Sequence, residues 1–245
     1  MTHEPAFPLQ QLFLEIAERG EVSIKSLVRE TGLKSPSLTG KLHPLVKKGL
    51  LVFGDAHAKV AVRRDFGHVV GIDFGASHLH FALADFRGDI QDESLLKIRP
   101  EDGPAKLIAQ IKEGVRSLTA RRQHGRLRAI ALSVPSPVDA EHGVVSWANN
   151  VPGWTNIHLG KELEKEFRAP VFMENDANMA AIGEHWRGVA SGVNNFVFIA
   201  LGTGIGSGIF ANGQLYRGHG GWAGELFRMN IEWQRWEEEF PDTGY

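Results

Sequence analysis

The sequence contains no cysteine among its 245 residues, and its net charge is only −2. Without cysteine the chain forms no disulfide and no thiolate metal site, which fits a reducing compartment, and we expect a cytoplasmic protein. No run approaches about 18 consecutive apolar residues, which argues against a membrane-spanning helix and a membrane partner. The amino-terminal segment also lacks the apolar core and cleavage site of a secretory signal. With 42% hydrophobic residues, the chain has enough apolar side chains for a packed core.

One stretch departs from this balanced charge. Between Thr31 and Arg64 there are seven basic residues and one acidic residue, Asp55, which gives a local net charge of +6. A basic stretch of this kind neutralises phosphates in proteins that bind nucleic acid. Charge alone fits a solvated positive face equally well, so only the surrounding sequence pattern can distinguish that alternative from nucleic-acid binding.

That surrounding pattern predicts three short helices and a hairpin. Apolar residues recur at helical spacing, Ser23 and Ser35 stand at cap positions, and Gly54 to His57 separates two apolar runs. The predicted helices span Leu9–Ala17 and Ile24–Glu30 and begin again at Ser35, and the predicted strands span Leu50–Phe53 and Val60–Val62. Three helices followed by a hairpin indicate a winged helix-turn-helix domain over residues 1–64.

In a helix-turn-helix, the second helix of the motif enters the major groove of DNA. The residues expected to reach base edges or phosphates are Ser35, Ser37, Thr39, Lys41, Lys47, Lys48, Lys59 and Arg63. Pro44 lies inside the third helix and is expected to kink it or end it early, at a cost of about 3 kcal/mol. The alternative is therefore a winged-helix fold that is kept for packing or partner contact, with reduced affinity for DNA.

Beyond Gly67 the pattern becomes an alternation of strands and helices, which favours an α/β domain over residues 67–245. The predicted strands are Val69–Phe74, Phe81–Asp85, Ala129–Val134, Val171–Met173 and Phe196–Leu201. The predicted helices are Pro104–Arg122, Leu159–Phe167 and Asp176–Trp186.

Several motifs follow these strands. Asp73-Phe74-Gly75-Ala76-Ser77 is a strand end with a tight turn, where a carboxylate holds hydrated Mg²⁺ and backbone N–H groups approach phosphate. A glycine-rich turn at Gly202–Gly208 follows the last predicted strand; such a turn cradles phosphate or is simply a tight connection. Other polar or turn segments are S-V-P-S-P-V-D at 133–139, N-N-V-P-G-W at 149–154, E-N-D-A-N at 174–178 and G-W-A-G-E-L at 221–226.

In this order, the motifs resemble the ROK (repressor, open reading frame, kinase) family over about residues 9–226. The resemblance implies an actin-like ATPase or sugar-kinase body of ribonuclease H-like fold. It implies sugar binding by Asn150, Asn175, Asp176 and Glu225, with Asp176 as the catalytic general base if the chain is a kinase. It implies phosphate or nucleotide binding by Asp73, Gly75, Ser77, Gly202, Thr203 and Gly204.

The resemblance stops after Leu226. Phe227 and Arg228 replace the family's Gly-His, and no cysteine-rich zinc loop follows, so no zinc, and no other metal, is expected. His78 and His80 are expected to face solvent or a neighbour rather than a metal. The second lobe is expected to be incomplete, whether this end is natural or results from truncation or a frame change. We therefore expect poorly covered strand faces such as Phe196–Leu201, self-association, and no kinase activity.

The leading hypothesis is a sugar-responsive DNA-binding regulator of carbohydrate metabolism, in the simplest case a repressor. Its partners would be an operator in double-stranded DNA, a sugar or sugar phosphate, and a second copy in a homodimer or higher homo-oligomer. The first alternative is an ATP-dependent sugar kinase of the hexokinase or glucokinase type, which alone would need Mg-ATP. The second alternative is a remnant with neither activity.

Overall fold

The computed structural model of the protein describes residues 7–121, 125–147, 153–202 and 204–226. The chain divides into two compact units, one ending at Glu174 and the other beginning at Asn175. The boundary predicted between residues 64 and 67 falls inside the first unit, where two separate hydrophobic cores lie on either side of it. Among the described helices, none has the length and apolar content that a bilayer crossing requires.

Residues 7–66, called the head below, contain the predicted three helices and hairpin. The elements are α1 (Leu9–Arg19), β1 (Glu21–Ser23), α2 (Ile24–Thr31), α3 (Ser35–Lys47), β2 (Leu51–Gly54) and β3 (Lys59–Val62). The strands form an antiparallel sheet in the order β1-β3-β2. Strand β1 was not predicted, because three residues are too few to show an alternation. The leucines Leu12, Leu27 and Leu38 are fully buried in the head core.

Two predictions about α3 are wrong. Ser35 is the first residue of the helix and not its cap, which is Lys34 and makes no side-chain cap bond. Pro44 does not end the helix, which continues to Lys47, and the Lys48 N–H donates to the Pro44 carbonyl at 3.0 Å. Leu38 and Leu42 are fully buried on the preceding turns, and this packing holds the helix despite the missing proline N–H.

The remainder of the first unit is an α/β body. Its strands are β4 (His68–Phe74), β5 (His78–Asp85), β6 (Ile90–Lys97), β7 (Leu127–Val134), β8 (Val138–Asp139), β9 (Val144–Trp147), β10 (Thr155–Ile157) and β11 (Val171–Asn175). Its helices are α4 (Gly103–Ala120) and α5 (Leu159–Phe167). Five strands form the main sheet in the order β11-β7-β4-β5-β6, with β4 parallel to β7 and antiparallel to β5. Strands β8 to β10 form a small separate sheet.

Helix α4 covers one face of the main sheet and buries Leu107, Ile111 and Val115. The contact is close at Gly114, where an added Cβ would lie 2.3 Å from the Phe81 ring. The alternation of β5 therefore turns its apolar side chains toward α4. The polar residues at its alternate positions lie on the opposite face, where they are available for other contacts.

The head is attached to the body through side-chain contacts as well as through the chain. Phe66 and Phe86 meet edge to face with ring centroids 4.8 Å apart, and Phe86 also packs against the head core. Arg64 donates to Asp85 at 2.9 Å. The Arg128 guanidinium lies 3.6 Å from the Phe66 ring centroid, a cation–π distance. These contacts, called the joint below, fix the head to the end of β5.

Replacing Phe86 with alanine is expected to loosen the joint. The substitution removes an aromatic side chain that is partly buried against the head core and the Phe66 ring, and we expect the head to lose about 2 kcal/mol of stability. Limited proteolysis around residues 63–67 measures this as faster cleavage. Phe172→Ala is the matched control, because Phe172 is 62% exposed. Equal cleavage rates for the two variants would show that Phe86 does not stabilise the joint.

The described part of the second unit contains one α-helix packed on one small sheet. The elements are α6 (Asp176–Arg187), β12 (Phe196–Leu201), β13 (Ile205–Ala211) and β14 (Gln214–Leu215). The sheet order is β12-β13-β14, and both pairings are antiparallel.

One prediction about this sheet agrees with the structure and one needs correction. One face of β12 is poorly covered, as expected, because Val197, Ile199 and Leu201 are 55%, 55% and 78% exposed and alternate with half-buried residues. The predicted glycine-rich turn is shorter than expected, since β13 already begins at Ile205. The error about the turn arises because glycine in a strand that lies under a helix looks like a turn when only the sequence is read.

Candidate functional site

The predicted sugar-binding residues Asn175 and Asp176 lie where β11 gives way to α6. The Asn175 side-chain oxygen caps the helix by accepting the Asn178 N–H at 3.2 Å. Asp176 is the first helical residue and is exposed, and its carboxylate accepts the Ala177 N–H at 2.8 Å. A carboxylate is stabilised at this positive end of the helix. The arrangement presents hydrogen-bonding oxygens at a fixed helix terminus.

The packing of α6 on β13 determines where this terminus lies. An added Cβ at Gly206 would lie 3.0 Å from the Ala177 Cβ, so the helix starts directly over the first residues of β13. The next residue, Ser207, donates its hydroxyl to the Gly224 carbonyl at 2.9 Å. The Asn175–Asp176 segment and the loop that carries Glu225 are therefore anchored to consecutive residues of one strand.

Substituting Asn175 with alanine is expected to destabilise the start of α6 by about 1 kcal/mol, the usual value of an N-cap. Asn175→Asp keeps an oxygen acceptor in place and serves as the control, with near-normal stability. Hydrogen exchange of the Asn178 and neighbouring amides reports the difference between the two variants. Unchanged protection in the alanine variant would show that the cap does not hold the segment.

The turn before β13 contains two further predicted residues. The Gly202 N–H donates to the Gly204 carbonyl at 3.0 Å. Neither glycine has a left-handed φ, and an added Cβ at either one would meet nothing within 4 Å. The space beside both glycines is therefore open, and a ligand could approach the backbone there. Thr203 was predicted to bind phosphate or nucleotide and Asn150 was predicted to bind sugar. Both lie outside the described residues.

The first unit holds the other predicted phosphate turn, at the end of β4. One Asp73 carboxylate oxygen accepts the Ser133 hydroxyl at 2.6 Å, and the other lies 3.1 Å from His78 Nε2. The His78 ring also covers Gly75, where an added Cβ would come within 2.3 Å of it. The imidazole therefore occupies the space that a phosphate would take beside Gly75. As placed, these residues do not fit a bound nucleotide phosphate.

Sequence reasoning missed the part played by His78 and Ser133. His78 was expected only to face solvent or a neighbour, and the structure turns it toward Asp73. The feature of the sequence that could have indicated this contact is the position of His78 immediately after the turn, one residue beyond Ser77. The described residues contain no group of three or more histidine, aspartate or glutamate side chains arranged to hold a metal ion.

The predicted DNA-contacting residues of α3 lie partly at the surface. Lys41, Lys47 and Lys48 are exposed, and within the described part of the chain none of them forms an ion pair. Ser35 is exposed, while Ser37 and Thr39 are half-buried. The Thr39 hydroxyl donates to the Ser35 carbonyl at 2.9 Å and so is turned toward its own helix.

The basic residues around β3 have acidic partners. Lys59 donates to Glu21 at 2.6 Å, and this hydrogen bond raises the pKa of Lys59. Arg63 forms two bonds with Asp65, at 2.6 and 2.9 Å, which lower the pKa of that carboxyl. The exposed positive charge of the head therefore includes the lysines at α3 but not the paired Lys59 and Arg63.

A family model described as "ROK family" matches residues 69–237. The chain belongs to the ROK family. A xylose repressor of Bacillus subtilis is 29% identical over 235 residues, covering 91% of this chain and 60% of the repressor. A glucokinase of Halalkalibacterium halodurans is 34% identical over 164 residues, covering 66% of this chain and 49% of that enzyme. The chain thus spans 60% of the length of the repressor and 49% of that of the glucokinase.

Solved structures of ROK proteins give the same grouping. A ROK family transcriptional regulator, homologous to the E. coli MLC protein, superposes with a TM-score of 0.74 and 25% identity over 86% of this chain and 56% of that chain. A ROK glucokinase from Streptomyces griseus, solved with glucose and AMPPNP, gives 0.61 and 28% over 67% of this chain and 51% of that chain. These likenesses confirm the predicted α/β, actin-like sugar-kinase fold of the body.

Proposed function

We propose that the chain is a sugar-responsive DNA-binding regulator whose head is a winged helix-turn-helix. The observation that carries this proposal is the extent of the matches. The xylose repressor covers 91% of the chain and must include most of the head, whereas the glucokinase covers 66%, no more than the body supplies. The head is therefore a feature that this chain shares with relatives named as repressors.

The surface of α3 supports binding to double-stranded DNA. The exposed Lys41 and Lys47 lie on the helix that follows the α2–α3 turn, and Lys48 is the C-cap of that helix. This is the position of a recognition helix. Lysines at such positions contact phosphates and fix the orientation of the head on the duplex. Ser35, at the exposed start of the helix, is proposed to reach a base edge.

The second unit supports sugar binding. Asn175 and Asp176 at the start of α6, and Glu225 beyond Gly224, offer amide and carboxylate oxygens anchored to the same end of β13. Adjacent hydroxyls of a sugar are suited to pairs of such acceptors. The glycine turn beside them leaves the backbone open to the ligand.

The joint would carry a movement of the body sheet to the DNA-binding surface. Because Phe86 and Arg64 fix the head to the end of β5, a shift of the body sheet moves the head with it. A sugar changes DNA affinity only if it binds one arrangement of the heads more tightly than the other. In a homodimer, that arrangement sets the spacing of the two α3 helices.

Footprinting on DNA upstream of the chain's own gene tests the proposal. We expect a protected site with two-fold symmetry, and an affinity that falls steeply with salt as counterions are released. The proposal would be overturned if no DNA site were protected at physiological salt. It would also be overturned if scrambled DNA bound as tightly as the upstream DNA.

A sugar kinase is the second candidate, favoured by the 34% identity with a glucokinase. Kinase action requires Mg²⁺ and nucleotide phosphates to be positioned together. The contacts of His78 with Asp73 and Gly75 oppose this. Release of ADP with a panel of hexoses, abolished by Asp176→Asn, would establish the kinase and displace the regulator as the leading function. We expect no release above the background of the chain without sugar.

A further inference from the structure

The face of the second unit's sheet that lies opposite α6 is apolar and exposed. Gly208 of β13 lies against Ala181 of α6, so the alternation of the strand turns Ser207 to the other face. The register pairs Ser207 with Ile199 of β12, which places the exposed side chains of both strands on that face. A contiguous apolar patch of this kind indicates a docking surface. The patch, called the outer face below, consists of Val197, Ile199, Leu201 and Ile205.

The described chain returns to this face just before it ends. The Ser207 hydroxyl donates to the Gly224 carbonyl at 2.9 Å, and Gly224 lies so close to the Ser207 backbone that a Cβ has no room there. The Leu226 N–H donates to the same Gly224 carbonyl at 2.7 Å, which keeps the end of the described part beside Ser207. The residues after Leu226 therefore start next to the outer face.

The sequence after Leu226 has the pattern of an amphipathic helix. Large apolar residues recur at intervals of four, three and four positions, the spacing of one helical face. They are Met229, Trp233, Trp236 and Phe240. The residues between them are polar except Ile231, and Pro241, which follows directly, is a helix stop. Residues 229–240 are called the tail below.

We propose that the tail folds back as a helix and covers the outer face of its own sheet. Its apolar stripe spans about 17 Å along a helix, and the outer face spans about 14 Å between Val197 and Leu201. Only Phe227 and Arg228 separate the tail from Leu226. A tether of that length gives the tail an effective concentration of about 1 mM, roughly a thousandfold above a second copy at micromolar concentration. The tail therefore outcompetes a second copy for this face.

The cover has a consequence for the loop that carries Glu225. This residue lies between the contact of Gly224 with Ser207 and the start of the tail. A docked tail therefore fixes the loop from both sides and positions Glu225 beside β13. Only the role of Glu225 in sugar binding rests on the proposed function. The cover itself goes beyond that function, since it requires neither DNA nor a sugar.

Thiol labelling of the full chain with excess reagent tests this inference, because the chain has no cysteine of its own. Ile199→Cys places a single thiol on the outer face. We expect slow labelling, at a rate that does not change with chain concentration. Adding Trp233→Glu/Trp236→Glu puts two charges into the apolar stripe and should release the tail, so that labelling becomes faster by about tenfold or more.

Two controls accompany the measurement. Asn230→Glu/Gln234→Glu adds the same two charges on the polar side of the tail and should leave the Ile199→Cys thiol protected. Ala190→Cys reports the folding of the unit, because Ala190 is 8% exposed and a thiol there should label slowly with and without the tryptophan substitutions. An equal rise at both cysteine positions would mean general unfolding and would overturn the local cover.

Two further outcomes would overturn the proposal. Fast labelling of Ile199→Cys with the tail unchanged would show that the outer face is open. Protection that grows with chain concentration and survives the tryptophan substitutions would assign the face to a second copy.

Discussion

Gly208→Ala is expected to destabilise the second unit by about 3 kcal/mol, the upper end of the range for overpacking. An added Cβ would lie 2.5 Å from the Ala181 Cβ and 2.8 Å from the Ala177 carbonyl oxygen. The backbone oxygen cannot rotate away, so α6 has to move off β13. The start of α6, with Asn175 and Asp176, would move with it. We therefore expect sugar binding to be lost together with stability.

Gly204→Ala provides a matched control with the same change of side chain. A Cβ at Gly204 meets nothing within 4 Å, so its stability should stay within about 0.5 kcal/mol of the unmodified chain. Urea denaturation of the two variants gives the comparison directly. Equal midpoints would mean that the close contact of α6 with β13 does not exist in solution.

Removing the three exposed lysines of α3 and its C-cap is expected to have the largest effect on DNA binding. Lys41, Lys47 and Lys48 each neutralise a phosphate in the proposed complex, so their joint replacement by alanine should lower the slope of log affinity against log salt by about 3. At low salt this corresponds to a loss of several orders of magnitude in affinity. Because phosphate contacts do not read bases, operator and scrambled DNA should weaken to a similar extent.

The control for this prediction is Lys161→Ala/Lys165→Ala, which removes positive charge from α5 of the body. Its salt slope should match that of the unmodified chain. Filter binding at several salt concentrations measures both slopes. An unchanged slope in the α3 variant would place the DNA contact elsewhere, and the winged-helix interpretation of the head would then be wrong.

Elements with a clear apolar stripe could be predicted from the sequence. Helix α5 spans Leu159–Phe167 as predicted, because Leu159 and Leu163 mark one buried face between polar residues. Strand β6 was missed, since its residues Ile90–Lys97 lie at the edge of the main sheet and are mostly exposed. An edge strand without a buried face shows no alternation of apolar and polar residues, so its sequence does not indicate a strand.

The candidate site was less predictable, because contacts between distant segments create it. E-N-D-A-N identified Asn175 and Asp176, but nothing local indicates that Gly206 and Gly208 serve the packing of α6 while Gly202 and Gly204 stay open. The covering of Gly75 by His78 depends likewise on a side-chain orientation that the tertiary structure fixes. The outcome at Pro44 was missed for the same reason, because the burial of Leu38 and Leu42 outweighs the local helix-breaking preference.

The central claim is that the oxygens at the start of α6 bind a sugar and thereby change the affinity of the head for DNA. It is tested most directly by titrating a panel of pentoses and hexoses into the complex of the chain with its operator, using fluorescence anisotropy. We predict that at least one sugar shifts the operator affinity by tenfold or more, and that Asp176→Asn abolishes the shift while operator binding without sugar stays normal. An operator affinity that no sugar changes, or a shift that persists undiminished in Asp176→Asn, would contradict the claim.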